Sequence, residues 1–310
     1  MFNDELRGVT NTYHSITPHD LVIISSMKEQ FSTLRGEVEG PQARASFDQV
    51  MESIKSARKV CYREETINGV KGWWCIPSNI IESRAILYFH GGAYNIGSSW
   101  AYRNFAGNIA ERANTSLFIP DYRLAPENPY PAAVEDAQSA YIGLVNKGFK
   151  SISIMGDSAG GGLALVTMAK VAFQDDLLNP ASCAVFSPWT DLKLESSTMQ
   201  SKAENDILLA KASLVREAAR YLNGATPSDP NVSPLYGSLS SLPPIQIHVG
   251  EAEILLGDSL RYTEKAIRNH TRVDLHIWEG MPHVFPSNIG KLDAAEKALT
   301  ITASFMQWQE

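Results

Sequence analysis

The sequence predicts an α/β fold: a mostly parallel central sheet with helices packed on both faces. Two observations carry this. Apolar, strand-like runs near 85–89, 116–120, 151–155, 182–187, 244–249 and 272–277 alternate with helix-period segments, most clearly 131–147, 158–173, 258–269 and 290–308. Alternation of this kind gives parallel strands whose crossovers cover both faces of the sheet, and strands buried on both faces read as continuous apolar runs. The second observation is composition. A chain of 310 residues that is 44% hydrophobic and 20% charged can bury a sizeable core and needs no second domain to do so.

Ahead of the alternation, residues 59–77 read as a hairpin with Asn68-Gly69 at its turn, because Asn-Gly accepts the left-handed backbone a two-residue loop requires. Two segments stand outside the plan. Residues 1–55 show helix patterns, including Leu21–Leu34, before any strand. Residues 190–225 insert a long helical stretch through Ile207, Leu208, Leu209, Leu214 and Val215. Each is an amphipathic piece that has to pack on something. The expected organisation is therefore 1–55 as N-terminal cap helices and 56–310 as the catalytic domain, with a cap insertion at about 190–225.

Chemistry enters at Gly156-Asp157-Ser158-Ala159-Gly160-Gly161, which sits between the apolar run Ser151–Met155 and a helix-like stretch. A strand turning sharply into a helix presents one serine hydroxyl at its apex, and the flanking glycines are required where a Cβ would collide with neighbouring backbone. Upstream, Ala85–Phe89 runs into His90-Gly91-Gly92-Ala93-Tyr94. Small residues there let backbone approach a substrate, so the N–H groups of Gly91 and Gly92, with that of Ala159, are the expected oxyanion donors. His90 is expected to brace this loop through its ring.

A serine nucleophile needs a base and an orienting acid, which in this arrangement follow in the order Ser, Asp or Glu, His. Of the seven histidines, His283 alone lies in a turn-rich loop after a strand pattern; His248 and His276 fall inside strands, and His14, His19 and His270 lie elsewhere. Three carboxylates compete for the acid, Glu251, Glu253 and Asp258, and register favours Glu253, thirty positions before His283. Asp258 reads instead as a cap for the helix that follows. Asp157, next to the serine in a tight turn, reads as a hydrogen-bonding support of the elbow.

Taken together, His90-Gly91-Gly92, Asp121–Glu127, Pro131–Asp136 and Gly156–Gly161 resemble the hormone-sensitive-lipase-like family of bacterial esterases, over residues 60–310. The resemblance implies the α/β-hydrolase fold, a serine carboxylesterase acting through an acyl-enzyme on Ser158, and a helical cap over that serine. It also implies that Asp121, Arg123 and Asp136 support the oxyanion loop and the elbow. Where the family usually has Asp-Pro-Leu, this chain has Glu253-Ile254-Leu255, and Ala93 stands where many members have a third glycine. A glutamate serves equally, since the acid has only to hold the imidazole tautomer and stabilise the imidazolium. Under the cap, Tyr94, Trp189, Ile207 and Leu208 are the expected pocket residues. Members with similar wording around Glu253 act on short-chain esters and lactones, so the expected substrate is a small ester or lactone. An arylformamidase-like amide hydrolase and a non-catalytic ligand receptor are the alternatives on the same fold.

A net charge of −7 and the lack of a Lys/Arg cluster exclude a nucleic-acid footprint. There is no Cys-x-x-Cys or His-Glu-x-x-His pattern, so neither a metal nor another cofactor is expected. Cys61, Cys75 and Cys183 cannot all pair and lie in apolar contexts, which reads as buried free thiols. The N-terminus lacks the basic start and apolar run of a signal peptide, and no stretch is long enough to span a membrane. A cytoplasmic protein is expected, with a homodimer left open.

Overall fold

In the computed structural model, which describes residues 9–31, 35–36, 39–172 and 174–307, the chain begins with β1 (Val9–His14), α1 (Pro18–Phe31) and α2 (Arg44–Glu52). The hairpin β2 (Val60–Ile67) and β3 (Val70–Pro77) precedes β4 (Arg84–Phe89), α3 (Ser99–Ala113), β5 (Ser116–Pro120), α4 (Ala132–Asn146), β6 (Ser151–Asp157) and α5 (Ser158–Val171). After β7 (Ser182–Phe186) come the short α6 (Thr198–Ser201), α7 (Lys211–Leu222), β8 (Ile245–Gly250), α8 (Leu256–Arg268), β9 (Val273–Trp278) and α9 (Asp293–Gln307). The strands form one nine-stranded sheet in the order β1-β9-β8-β7-β6-β4-β5-β3-β2. All pairings are parallel except β3 with β5 and β2 with β3.

The central strands are closed on both faces. Ala85–Phe89 and Leu117–Ile119 are each at most 1% exposed, as their unbroken apolar runs require. One face carries α4, α5 and α8, with Leu163, Leu165, Tyr141 and Tyr262 in its core. The other carries α3 and α9 through Phe105, Ile109, Leu299 and Ala303. α5 is buried almost all round, which explains why its sequence shows little polar face. The β2–β3 turn has Asn68 and Gly69 at positive φ, as the Asn-Gly pair implied. Strand order reverses at β4: the chain leaves it for β5 on one side and comes back to β6 on the other. The crevice at the C-terminal ends of β4 and β6 is therefore the topological switch point, where such sheets place ligands.

Three expectations are corrected. Residues 1–55 are not helical throughout, because β1 joins the sheet parallel to β9, with Thr12 opposite His276 and His14 opposite Trp278. The helix expected over Leu21–Leu34 is α1; Leu34 itself lies outside the described residues. Segment 190–225 is not one long helix: Ile207 and Leu208 lie in an irregular stretch between α6 and α7. Asp206 breaks it, since its Oδ1 accepts from both Leu208 N at 2.9 Å and Leu209 N at 2.8 Å, a local turn that competes with helix. Finally, Cys61 is exposed on the edge hairpin, whereas Cys75 and Cys183 are buried free thiols.

Candidate active site

β6 ends in Asp157, and the chain turns at Ser158, whose φ of 53° is strained for a residue with a side chain. The turn is this tight because α5 lies directly against β4. A Cβ on Gly160 would fall 2.1 Å from Phe89 O, and one on Gly156 would fall 2.3 Å from Gly160 O. Ser158 remains half-buried while its neighbours Asp157 and Ala159 are closed off, so its hydroxyl is what the elbow presents.

Three side chains from distant parts of the sequence meet there. His283 Nδ1 lies 2.6 Å from Glu253 Oε2, and His283 Nε2 lies 2.9 Å from Ser158 Oγ. A carboxylate can only accept, so Nδ1 carries the proton and the Nε2 lone pair faces the serine hydroxyl. Glu253 is itself fixed: its Oε1 accepts from Gly250 N and Ser187 Oγ, each at 2.7 Å. Burial would lower the His283 pKa, but the Glu253 carboxylate, reinforced by the charges of Asp206 and Asp157, outweighs it and moves the pKa above 6.5.

The two competing carboxylates are engaged elsewhere. Glu251 pairs with Lys202. Asp258 does not cap its helix, which begins at Leu256; its Oδ2 accepts from Thr190 N at 2.8 Å and Asp191 N at 2.9 Å. Burial, together with the neighbouring Asp191 charge, pushes the Asp258 carboxyl up to about 7 against the hydrogen bonds from those two amides.

The oxyanion loop departs from expectation at one donor. Gly91 N–H donates to Asp157 Oδ1 at 3.0 Å and is therefore occupied. Asp157 also accepts from Tyr88 OH at 2.7 Å and Tyr102 OH at 3.1 Å, and its burial pushes its pKa up to about 6. Gly92 and Ala93 follow at positive φ (114° and 53°) and are half-buried, so the exposed backbone of this loop lies one residue later than expected. His90 Nδ1–H donates to Gly91 O at 2.8 Å, and its ring stacks on Tyr122 at 4.3 Å, whose hydroxyl donates to His90 O. Asp121 accepts from Ser99 N, and Arg123 forms paired contacts with Asp136, which fastens the segment beside the loop.

The expected pocket residues separate into two groups. Tyr94 and Trp189 are at most 1% exposed and form a backing layer, Tyr94 stacked on Tyr221 at 3.8 Å, rather than a wall open to a ligand. Trp189 N donates to Ser158 O, which ties that layer to the elbow. Ile207 is buried and Leu208 is half-buried. A separate surface cavity of about 460 Å³, lined by Lys55, Arg58, Asn108 and Arg112, contains none of the meeting residues.

Sequence reasoning missed Ser187, whose hydroxyl joins the two loops by donating to Glu253 Oε1 and accepting from Val284 N at 3.0 Å. It also missed Asp206. The only signal for Ser187 is its position directly after β7, level with the loop ends of β6 and β8.

A serine, imidazole and carboxylate linked in this order on such a sheet define a serine-hydrolase arrangement, and comparison with known proteins narrows it. A family model of the alpha/beta hydrolase fold matches residues 86–287. An acetyl-hydrolase from Streptomyces hygroscopicus is 33% identical over 277 residues, covering 89% of this chain and 91% of that protein. A crystal structure of an esterase from the bacterial hormone-sensitive lipase family superposes with a TM-score of 0.87 at 31% identity, covering 94% and 98% of the two chains. EstE5, in a crystal soaked with p-nitrophenyl butyrate, gives a TM-score of 0.85 at 34% identity with the same coverage, 94% and 98%. This chain belongs to the hormone-sensitive-lipase-like esterases of the α/β-hydrolase fold and is a carboxylic ester hydrolase. Among the described residues no helix is long and apolar enough to cross a membrane.

Proposed function

We propose that the protein hydrolyses small esters of short to medium acyl length through an acyl-enzyme on Ser158. The carrying observation is the continuous link from Glu253 through His283 to Ser158, at 2.6 and 2.9 Å. His283 takes the Ser158 proton as the oxygen attacks the ester carbonyl, and Glu253 holds the tautomer and stabilises the imidazolium. The oxyanion is received by the N–H groups of Gly92, Ala93 and Ala159, while Gly91 N–H stays with Asp157 and anchors the loop. His283 then protonates the leaving alcohol. Water, deprotonated by the same imidazole, attacks the acyl-enzyme and releases the acid.

The short acyl range is supported by similarity to an acetyl-hydrolase and to EstE5, whose crystal was soaked with p-nitrophenyl butyrate. Lactones fall within the same chemistry, with the alcohol retained on the opened acid. The helices α1 and α2, with the 190–225 segment, act as the cap, and the apolar strip at Ile207–Leu209 bounds the acyl side. Ser158→Ala should lower kcat on p-nitrophenyl acetate by about 10⁴-fold with the fold intact. Activity within tenfold of the parent in purified variant would reject Ser158 as nucleophile.

A further inference from the structure

Ile254, next to Glu253, has both of its backbone groups held by the segment that follows β7. Its N–H donates to Asp206 Oδ2 at 2.8 Å, and its carbonyl accepts from Thr198 Oγ1 at 2.6 Å. The same threonine oxygen accepts from Gly257 N at 3.0 Å, and Lys202 pairs with Glu251. The loop bearing Glu253 is thus gripped before, beside and after the carboxylate by residues 198–206. Through its other oxygen Asp206 holds Leu208 N and Leu209 N, so one carboxylate joins the acid loop to the apolar strip.

Asp206 is 1% exposed, and among the described residues no cation lies within ion-pair distance of it. Burying a carboxylate without a cation is costly, and three backbone donors offset only part of that cost. Its charge has a use, because the carboxylates that favour a protonated His283 are Glu253 from the loop after β8, Asp206 from the insertion and Asp157 from the end of β6. The Lys202–Glu251 pair adds no net charge to the loop, since its two charges offset each other.

We infer that Asp206 is a positioning residue for ester hydrolysis, holding the Glu253 loop in register from the insertion and adding its negative charge to the surroundings of His283. The inference rests on the reading of Ser158, His283 and Glu253 as the reacting set. Thr198 shares the mechanical part of the task but carries no charge, so the two roles separate by mutation.

The test uses Asp206→Asn and Thr198→Val in the full chain, with kcat expressed per folded molecule. Asp206→Asn should lower kcat about tenfold or more with KM little changed, and should move the acidic limb of the pH profile down by roughly half a unit. Thr198→Val should lower kcat by about fivefold with the limb in place. An acidic limb unmoved in Asp206→Asn, or kcat within about twofold of the parent in either variant, would overturn the inference. If Asp206→Asn does not fold, Asp206→Glu decides: it keeps the charge but displaces the three backbone bonds, and kcat within about twofold of the parent would overturn the inference. Labelling of the parent by an organophosphate at Ser158 keeps the tests apart: its failure would remove the underlying reading, whatever the Asp206 result.

Discussion

Glu253 is singled out among three nearby carboxylates by what each can touch. Its Oε2 meets His283 Nδ1, whereas Glu251 is paired with Lys202 and Asp258 is held by two backbone amides. Glu253→Gln should therefore reduce kcat on p-nitrophenyl acetate by roughly 10³- to 10⁴-fold, since an amide favours the wrong tautomer and leaves the imidazolium without a counter-charge. Glu251→Gln should cost less than about tenfold, and steady-state kinetics of the two variants side by side checks both. The His283 shift gives a pH prediction with a definite sign. The base works neutral, and its pKa is raised above 6.5, so kcat/KM should rise with pH through a midpoint above 6.5; a midpoint below it would contradict the carboxylate environment. The same raised pKa stabilises the fold below 6.5, and that contribution is lost as pH rises through the folded-state value. Ser158, His283 and Glu253 were legible because they sit in short turns whose position follows from strand register. Gly91 was misread because its N–H partner, Asp157, is 66 residues away, and no local pattern shows that a donor is already in use. Ser187 and Asp206 were invisible for the same reason: each acts through hydrogen bonds to loops far along the chain.

At the scale of elements, α8 shows how a correct helix can carry a wrong role. It starts at Leu256, so Asp258 lies in its first turn and reaches across to the 190 loop instead of capping its own amides. Asp258 Oδ1 has no hydrogen-bond partner. An Asn can keep one acceptor for Thr190 N and Asp191 N, so Asp258→Asn should cost less than about 1 kcal/mol near pH 4, where the folded parent carboxyl is protonated, and leave kcat largely intact. Its pH signature is sharper. The folded carboxyl sits at about 7 against 3.8, so the folded state binds the extra proton and stability falls as pH rises between those values. Asp258→Asn should lose that fall and gain stability relative to the parent from pH 4 to 7. Thermal melts across that window check it, and a constant difference between the two proteins would count against the buried carboxyl. α3 was not picked out from the sequence because it buries Asn104, Gly107 and Asn108 together with its apolar residues, which blurs the stripe on which periodicity depends. Apolar spacing predicts helix throughout 190–225 because it cannot register a carboxylate that captures two consecutive amides.

At the scale of the molecule, the sheet order brings the parts together. Reversal at β4 sets the ends of β4 and β6 side by side, so the His90–Tyr94 loop and the Ser158 elbow adjoin, while β7 and β8 supply Ser187 and Glu253 from the next strands. A parallel sheet with its chemistry at the C-terminal strand ends follows from alternating strands and helices, whereas the strand order is not contained in that alternation. β1 was not legible either, because Val-Thr-Asn-Thr-Tyr-His is short and polar and its partner β9 lies at the other end of the chain. It closes that edge with His14 stacked on Trp278 at 3.8 Å and bonded to His276 at 3.0 Å. α1 then docks on α9, where Asp20 accepts from Asp293 N and Ala294 N and so caps that helix. In the proposed mechanism Ser158 is activated by residues gathered from across the chain, which makes reaction with an organophosphate the most direct measurement. Treatment with diethyl p-nitrophenyl phosphate, followed by intact-mass and peptide mapping, should show one phosphoryl group per chain, on Ser158, with activity lost in proportion. No adduct on the active protein, or an adduct on another residue with activity lost in step, would contradict Ser158 as the nucleophile.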